Sequence, residues 1–405
     1  MPGKCMSGTS EGSMRILEIE AYGRGGLAHY VYNLSRALAA RGHQVTLITA
    51  AEYELEGRTD LPENLRVEQR TARASGRSRN PNPGLLFRTA RRLEAIYDAV
   101  AVTLRAWRLR PEVVHLHSTN SIAVLYLALL RLLRRPLVYT AHVVTPHERM
   151  QSEKTIHGWI HRIVHLIVAH SEFDRQRLQD EFFVDPERVT VIPHGDYGFF
   201  EHCSGVPDRL EARQLVGVEP QDEVALFFGY IREYKGLDLL LEAWPEIAAA
   251  RPGARLVIAG DPARLGPSRL AELKASAARL GAIHRFDYIP FSEVTRYFAA
   301  ADVLVMPYRH ISQSGVLFLG LALGLPVVTT RVGGLPEILQ HGESALLVPP
   351  ESTSELAAAL IRVLGEPDLR THLAAGGRRV AAQHSWESIA QRTEAAFARL
   401  TRPSD

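Results

Sequence analysis

Four groups of residues in this chain have types and spacings that could do chemistry. Gly229-Tyr-Ile-Arg-Glu-Tyr-Lys-Gly236 places two cations, Arg232 and Lys235, in one glycine-bounded loop directly after an apolar run. A planar guanidinium beside an ammonium suits a diphosphate, and the carboxyl end of a strand is where open α/β sheets bind ligands. Ser312-Gln-Ser-Gly-Val316 runs into an apolar helical stretch, so Ser314, Gly315 and Val316 can offer backbone N–H groups to a phosphate. Gly23-Arg-Gly-Gly26 lies between a strand and a helix, and Gly25 and Gly26 would let backbone approach a ligand closely. It is not the dinucleotide fingerprint, because no third spaced glycine follows and no acidic residue ends the next strand. The fourth group is the histidines His115, His117, His142 and His194 at strand ends. His115 and His117 share one strand face, a spacing that could hold zinc, but no third ligand is near in sequence and no metal is expected. His142, after Thr140-Ala141, is better placed to touch a substrate. The chain has no Asp-x-Asp pair and no Gly-Lys-Thr phosphate loop.

The elements that must position these groups alternate strand and helix. Residues 15–20 read as a strand, 27–41 as an amphipathic helix ended by Gly42, and 44–49 as the next strand. Strands follow at 113–117, 136–140, 166–169 and 189–192, which implies a parallel sheet with helical crossovers. The rhythm breaks over 198–221, then restarts with strands at 224–228, 255–259, 283–288, 303–306 and 326–330. The expected architecture is α/β: a Rossmann-like doubly wound domain at 14–200, a second at 222–384, and a cleft between them. Residues 385–402 have helical spacing and either pack on their own domain or cross back to the first.

Composition narrows the class. The chain has 405 residues, of which 46% are hydrophobic and 23% charged, and its net charge is +2. So small an excess argues against nucleic-acid binding by counterion release. Two cysteines, Cys5 and Cys203, cannot make a disulfide framework, so a reducing, cytoplasmic setting is expected. Residues 1–13 lack the apolar core of a secretory signal, and the apolar run at 121–130 is about half a bilayer span. Arg66–Arg110 carries eleven arginines against three carboxylates. A solvated face and a patch for anionic lipid or a phosphate-bearing acceptor both remain open there. Its sparse aromatics do not suit single-stranded nucleic acid.

The order of these motifs resembles one family. Gly25-Gly26 with Arg41-Gly-His-Gln-Val45, Thr140-Ala-His142, Ile192-Pro-His-Gly195, Lys235-Gly236, Gly324-Leu-Pro-Val-Val328 and Gly333-Gly-Leu-Pro-Glu337 is similar to the retaining GT-B glycosyltransferases of the bacterial family 4-like, group 1 class. The similarity runs from about Met14 to Leu400. It implies a metal-independent enzyme without a cofactor that moves a hexose from a UDP- or GDP-sugar to a glycan or lipid-linked glycan in cell-surface polysaccharide synthesis. It further implies a donor site in the C-terminal domain, an acceptor site in the N-terminal domain, and a terminal helix crossing back. By the same resemblance Arg232 and Lys235 grip the donor diphosphate, Gly26 approaches the phosphates, His142 meets the transferred sugar and Ser314 to Val316 supply backbone donors.

Four positions depart from the family pattern. Tyr230 stands where the family has its loop Arg, with Arg232 two residues on, and His194 replaces the usual Asn. The family's Glu-x7-Glu pair falls on Ile311 and Leu319, with the polar Ser312-Gln313-Ser314 run beside the first. That loss keeps two other readings in play: an inactive sugar-nucleotide-binding pseudo-transferase, and a nucleotide-sugar epimerase.

Overall fold

The computed structural model describes residues 12–58, 61–71, 85–118, 123–144, 151–262 and 265–401. It divides into an N-terminal unit (Met1–His170, Arg175–Pro193, Trp386–Asp405) and a C-terminal unit (Ser171–Asp174, His194–Ser385). Both are Rossmann-like, each with one parallel sheet and helical crossovers.

The N-terminal sheet contains β1 (Arg15–Ile19), β2 (Gln44–Ala50), β3 (Leu65–Thr71), β4 (Val113–Leu116), β5 (Leu137–Thr140), β6 (Leu166–Ala169) and β7 (Val189–Val191). Its order is β3-β2-β1-β4-β5-β6-β7, so the winding reverses between β1 and β4. β4, β5 and β6 are buried at every position, as strands covered on both faces must be. β3, the edge strand, has only three buried positions among seven. Its polar composition is why no strand was expected there, and the three-residue strand Leu346–Val348 of the second sheet escaped for its length. The two faces of the sheet differ in kind. Leu17, Ile19, Val114 and Leu116 enter an apolar core. Alternation turns Glu18, His115 and His117 to the opposite face.

That second face meets the helix Gly25–Ala40 and the terminal helix Trp386–Thr401. Trp386 packs on Tyr30 with ring centroids 5.1 Å apart, and Phe397 packs edge-on against His115 at 5.3 Å. Arg41 Nε donates to Glu394 Oε2 at 2.6 Å. The terminal helix therefore serves the N-terminal unit, the second of the two placements its spacing allowed.

The C-terminal sheet contains β8 (Glu223–Phe228), β9 (Ala254–Ala259), β10 (Ile283–Arg285), β11 (Val303–Met306), β12 (Val327–Thr330) and β13 (Leu346–Val348), ordered β10-β9-β8-β11-β12-β13. The reversal here lies between β8 and β11. The stretch without a strand, 198–221, forms the short helices Phe199–Ser204 and Arg209–Val216. From the second, buried Arg213 reaches Asp302, just before β11, at 2.9 Å. The same carboxylate oxygen accepts from the Val224 N–H at 2.7 Å, so one anion sets the register of β8 against β11. Arg209, half exposed, pairs with the other oxygen.

Arg213→Met leaves that carboxylate without its buried partner and should cost about 3 kcal/mol of C-terminal-unit stability. Arg209→Ala, which removes a solvated pair, should cost under about 1 kcal/mol. Denaturant unfolding of the two variants side by side checks the contrast.

Candidate active site

In the C-terminal unit the chemistry gathers at the carboxyl ends of β8 and β11, the reversal point where ligands bind in such sheets. After β8 the chain turns through Gly229 (φ +100°) and makes a single 3-10 turn at Glu233–Lys235, ended by Gly236 (φ +67°). Both glycines are forced. A Cβ on Gly236 would lie 2.0 Å from the Pro307 carbonyl oxygen, and one on Gly229 would lie 3.0 Å from Val316 Cγ2 and 3.1 Å from Lys235 Nζ. Lys235 is 6% exposed, and its ammonium lies 5.2 Å from the centre of the Tyr308 ring, a cation–π contact. Burial holds its pKa below the ordinary lysine value, with Arg232 pushing the same way against Tyr234. The Arg232 guanidinium lies 5.5 Å from the Tyr230 ring centre.

After β11, Ser314 caps the helix Gly315–Ala322, its Oγ accepting from the Leu317 N–H at 3.4 Å and lying 3.5 Å from the Tyr308 hydroxyl. Gly315 has no room for a side chain, because a Cβ there would lie 2.7 Å from the Tyr197 hydroxyl. The structure thus brings Gly229, Lys235, Ser314, Gly315 and Val316 together. Behind them Arg309 forks onto Asp238 at 2.8 and 3.0 Å, and its backbone N–H donates to the Tyr234 carbonyl at 2.7 Å.

His194 lies against the same helix, in an aromatic stack between Tyr197 (5.5 Å, 22°) and Phe318 (5.4 Å, 15°). Its Nδ1 faces the Gly195 carbonyl at 2.8 Å. Ile311 and Leu319, where the resemblance expects carboxylates, are buried in the unit's apolar core.

In the N-terminal unit the glycine turn is already engaged with carboxylates of the chain itself. Gly23 N–H and Tyr22 N–H donate to Glu20 at 2.8 and 2.6 Å, and Gly25 N–H donates to Glu54 at 2.8 Å. Gly26 is the second residue of the helix that starts there. His142 follows β5 and is half buried, with Nδ1 3.1 Å from His170 Nε2 and Nε2 3.4 Å from His117 Nδ1. Tyr30 packs edge-on against it at 4.7 Å. His117 Nε2 lies 2.6 Å from Glu18 Oε2, and His115 Nδ1 lies 3.0 Å from the same oxygen. Glu18 is wholly buried. Burial raises its pKa, but the two imidazoles outweigh that and hold it down at about 2. The His-x-His pair therefore has a third companion, supplied by the pairing of β1 with β4.

Sequence reasoning missed Glu18, Tyr30, His170, Tyr308, Arg309 and Asp238. A glutamate in the middle of an otherwise apolar strand was the legible signal for Glu18; nothing local marks the others.

The carboxyl ends of two parallel sheets, one bearing a buried lysine under glycines, invite comparison with known proteins. Residues 24–195 match the model of Glycosyltransferase Family 4, and 222–366 match that of Glycosyl transferases group 1. A D-inositol 3-phosphate glycosyltransferase of Actinosynnema mirum is 30% identical over 400 residues, covering 92% of each chain. The chain belongs to this glycosyltransferase family. A relative of the same name from Jonesia denitrificans is 29% identical over 385 residues, covering 90% of this glycosyltransferase and 89% of its own length. Among solved structures, Anabaena Alr3699/HepE in complex with UDP-glucose aligns with a TM-score of 0.75 at 21% identity, covering 96% and 100% of the two chains. Sucrose-phosphate synthase from Thermosynechococcus elongatus gives 0.75 at 22%, covering 97% and 100%. The fold of this glycosyltransferase is therefore GT-B.

Close backbone approach makes the site sensitive to single methyl groups. A Cβ on Gly260 would lie 1.8 Å from the Gly229 carbonyl oxygen, whereas one on Gly253 meets nothing within 4 Å. Gly260→Ala should cost about 1–3 kcal/mol and Gly253→Ala close to nothing, read as unfolding midpoints.

Proposed function

We propose that this glycosyltransferase moves a hexose from a UDP- or GDP-sugar to an acceptor hydroxyl with retention of configuration and without a metal ion. The observation that carries the reading is Lys235, buried against Gly229 beside the Gly315 helix start, with Arg232 in the same loop. A cation shielded from water interacts strongly with a diphosphate and with the charge that grows on it as the glycosidic bond breaks. Arg232 and Lys235 stabilise the leaving nucleotide, and Ser314, Gly315 and Val316 line the phosphates' approach. The solved relative bound to UDP-glucose supports a nucleotide-sugar donor. In this reading Gly25, Gly26 and His194 are substrate-binding, Gly26 approaching the phosphates, and His142 meets the transferred sugar.

The acceptor is a glycan or lipid-linked glycan destined for the cell surface. A second reading, a phosphorylated cyclitol, is favoured by the names of the Actinosynnema and Jonesia relatives. The helix Leu85–Leu109 bears on acceptor class. Leu93, Tyr97, Val100, Leu104 and Trp107 form an exposed stripe along it, among the exposed Arg91, Arg92, Arg108 and Arg110. Apolar side chains set among cations suit an anionic lipid surface, which would bring the enzyme to a lipid-linked acceptor at the inner membrane face. Arg73, Arg77 and Arg79 lie outside the described residues.

Thermal shift against UDP, GDP, ADP and CMP should single out one nucleotide and lose the shift in Lys235→Ala. A ligand at a hundredfold excess over Kd adds about 2.7 kcal/mol to the native state. Turnover surviving in Lys235→Ala, or no shift with any nucleotide, would defeat the donor assignment; binding without turnover would favour the pseudo-transferase.

Because the Lys235 pKa is lowered, its charge is lost as pH rises before the ordinary lysine value of 10.5 is reached. Nucleotide affinity should fall over that same alkaline range, and Lys235→Arg should flatten the fall, as a calorimetric pH series would show.

Trp107→Ser with Leu104→Ser should abolish co-sedimentation with phosphatidylglycerol vesicles and leave nucleotide affinity unchanged. Equal sedimentation of variant and parent would remove the membrane assignment.

A further inference from the structure

Four helices of the N-terminal unit end along one edge of its sheet. The helices Leu85–Leu109, Ala123–Arg131, Gln151–Ile163 and Glu172–Phe182 all send side chains into one apolar core, among them Val102, Leu130, Ile160 and Leu178. They lead in turn into β4, β5, β6 and β7, which are parallel neighbours in that order. A crossover helix runs back against its strands, so all four carboxyl-terminal ends reach the amino edge of the sheet. Packed helices stand about 8–10 Å apart. The four ends therefore form one continuous rim.

Three of these ends turn through backbone that favours glycine. Arg110 (φ +48°) follows the first helix, Arg134 (φ +52°) closes the turn after the second, and Phe183 (φ +54°) follows the fourth. A side chain in this left-handed region strains the backbone. Gly42 (φ +94°) and Gly217 (φ +87°) make the same turn after two other helices without that strain. Among the described residues one more non-glycine residue has such a φ, Glu351, and its carboxylate is used, pairing with Arg309 at 2.8 Å. Arg110, Arg134 and Phe183 give no such return. Among the described residues their side chains make no hydrogen bond, ion pair or ring contact, and Phe183 is 89% exposed.

Cations at helix carboxyl ends offset the helix dipole, which accounts for arginine there but not for large apolar groups. Each end nevertheless carries one. Trp107 and Leu132 are exposed, with Arg108 and Arg131 next to them in the chain. Trp159 is exposed at the third end, with the Arg162 guanidinium 5.9 Å from its ring centre. Arginines outnumber carboxylates along the rim, and several of the carboxylates are taken. Glu112 accepts from the Arg15 N–H at 2.9 Å, Asp185 from the Glu187 N–H at 3.0 Å, and Glu181 pairs with Arg177. The apolar groups stand one helix apart and do not merge into the single apolar core that a protein interface has. Side chains that can enter an interface one at a time, with cations beside them for the headgroups, suit an anionic bilayer.

We propose that this rim is the surface by which the glycosyltransferase meets an anionic lipid bilayer. Trp107, Leu132, Trp159 and Phe183 enter the interface, and Arg110, Arg134 and Arg162 lie at the headgroups. The proposal rests on the membrane reading above and gives it a direction: the amino edge of the N-terminal sheet faces the lipid. His142 follows β5 at the opposite edge, where Tyr30 packs on it and Trp386 packs on Tyr30.

The test uses the full chain and vesicles of phosphatidylglycerol and phosphatidylcholine in equal parts. Trp159→Ser with Phe183→Gly should weaken co-sedimentation at least tenfold and leave nucleotide Kd unchanged. Phe183→Gly and Arg134→Gly, taken singly, should raise the thermal midpoint while weakening vesicle binding. A residue that serves only to cap a helix cannot move the two in opposite directions. A Phe183→Gly protein with a lower midpoint and the parent's vesicle binding overturns the proposal.

Brominated lipid reads the orientation on the parent protein, so the result stands even if the double variant does not fold. Quenching of Trp107 and Trp159 is expected, assigned through Trp107→Phe and Trp159→Phe, with Trp386 spared. Quenching of Trp386, or none of Trp159, overturns it. If Trp107→Ser with Leu104→Ser abolishes sedimentation while Trp159→Ser with Phe183→Gly binds as the parent does, the membrane reading holds and the rim fails. A parent that sediments with no vesicle defeats both.

Discussion

A carboxylate with no exposure to water sits in the middle of the N-terminal sheet, and much of that unit is arranged around it. An ion of that kind in a medium of low polarisability costs several kcal/mol unless partners surround it. Glu18 finds them on β4, where register places His115 directly opposite and His117 two residues on. Those imidazoles need partners in turn, and the strand order delivers them from β5, β6 and the end of β7. The helices covering this face contribute rings that pack on the cluster. The terminal helix completes the unit, since without Phe397 and Trp386 this face would lose part of its aromatic cover.

The two units solve the same problem with different physics. Each puts its chemistry where the winding of a parallel sheet reverses and two loops diverge. In the N-terminal unit, side chains on successive strands meet, so the polar network spans the sheet. In the C-terminal unit, backbone does the shaping: Gly229, Gly236, Gly260 and Gly315 remove the methyl groups that would hold the loops apart, and Lys235 is buried among them. Arg309 and Asp238 then hold the 3-10 turn that carries it.

Much of this was legible from residue types. The two Rossmann-like halves follow from apolar strands at regular intervals, and the Arg232–Lys235 loop from cations between glycines after a strand. Ser314 to Val316 follow from small residues before an apolar helix. What was not legible depends on pairing at long sequence separation. Glu18 and His117 are 99 residues apart and touch only because β1 pairs with β4. Tyr308 looks like an ordinary aromatic until the return of β11 beside β8 sets it under Lys235. The carboxylate pair expected at positions 311 and 319 stands instead as Ile311 and Leu319, and the core that encloses them shows those positions used for packing.

Lys235 carries a last consequence, for reagents rather than substrates. An amine kept from water and eased toward its neutral form is a better nucleophile than a solvated lysine. An electrophile tethered to a nucleotide would be drawn to this amine by position and met there by heightened reactivity. Selectivity for one residue would then come from the burial of that residue, with no reactive cysteine required.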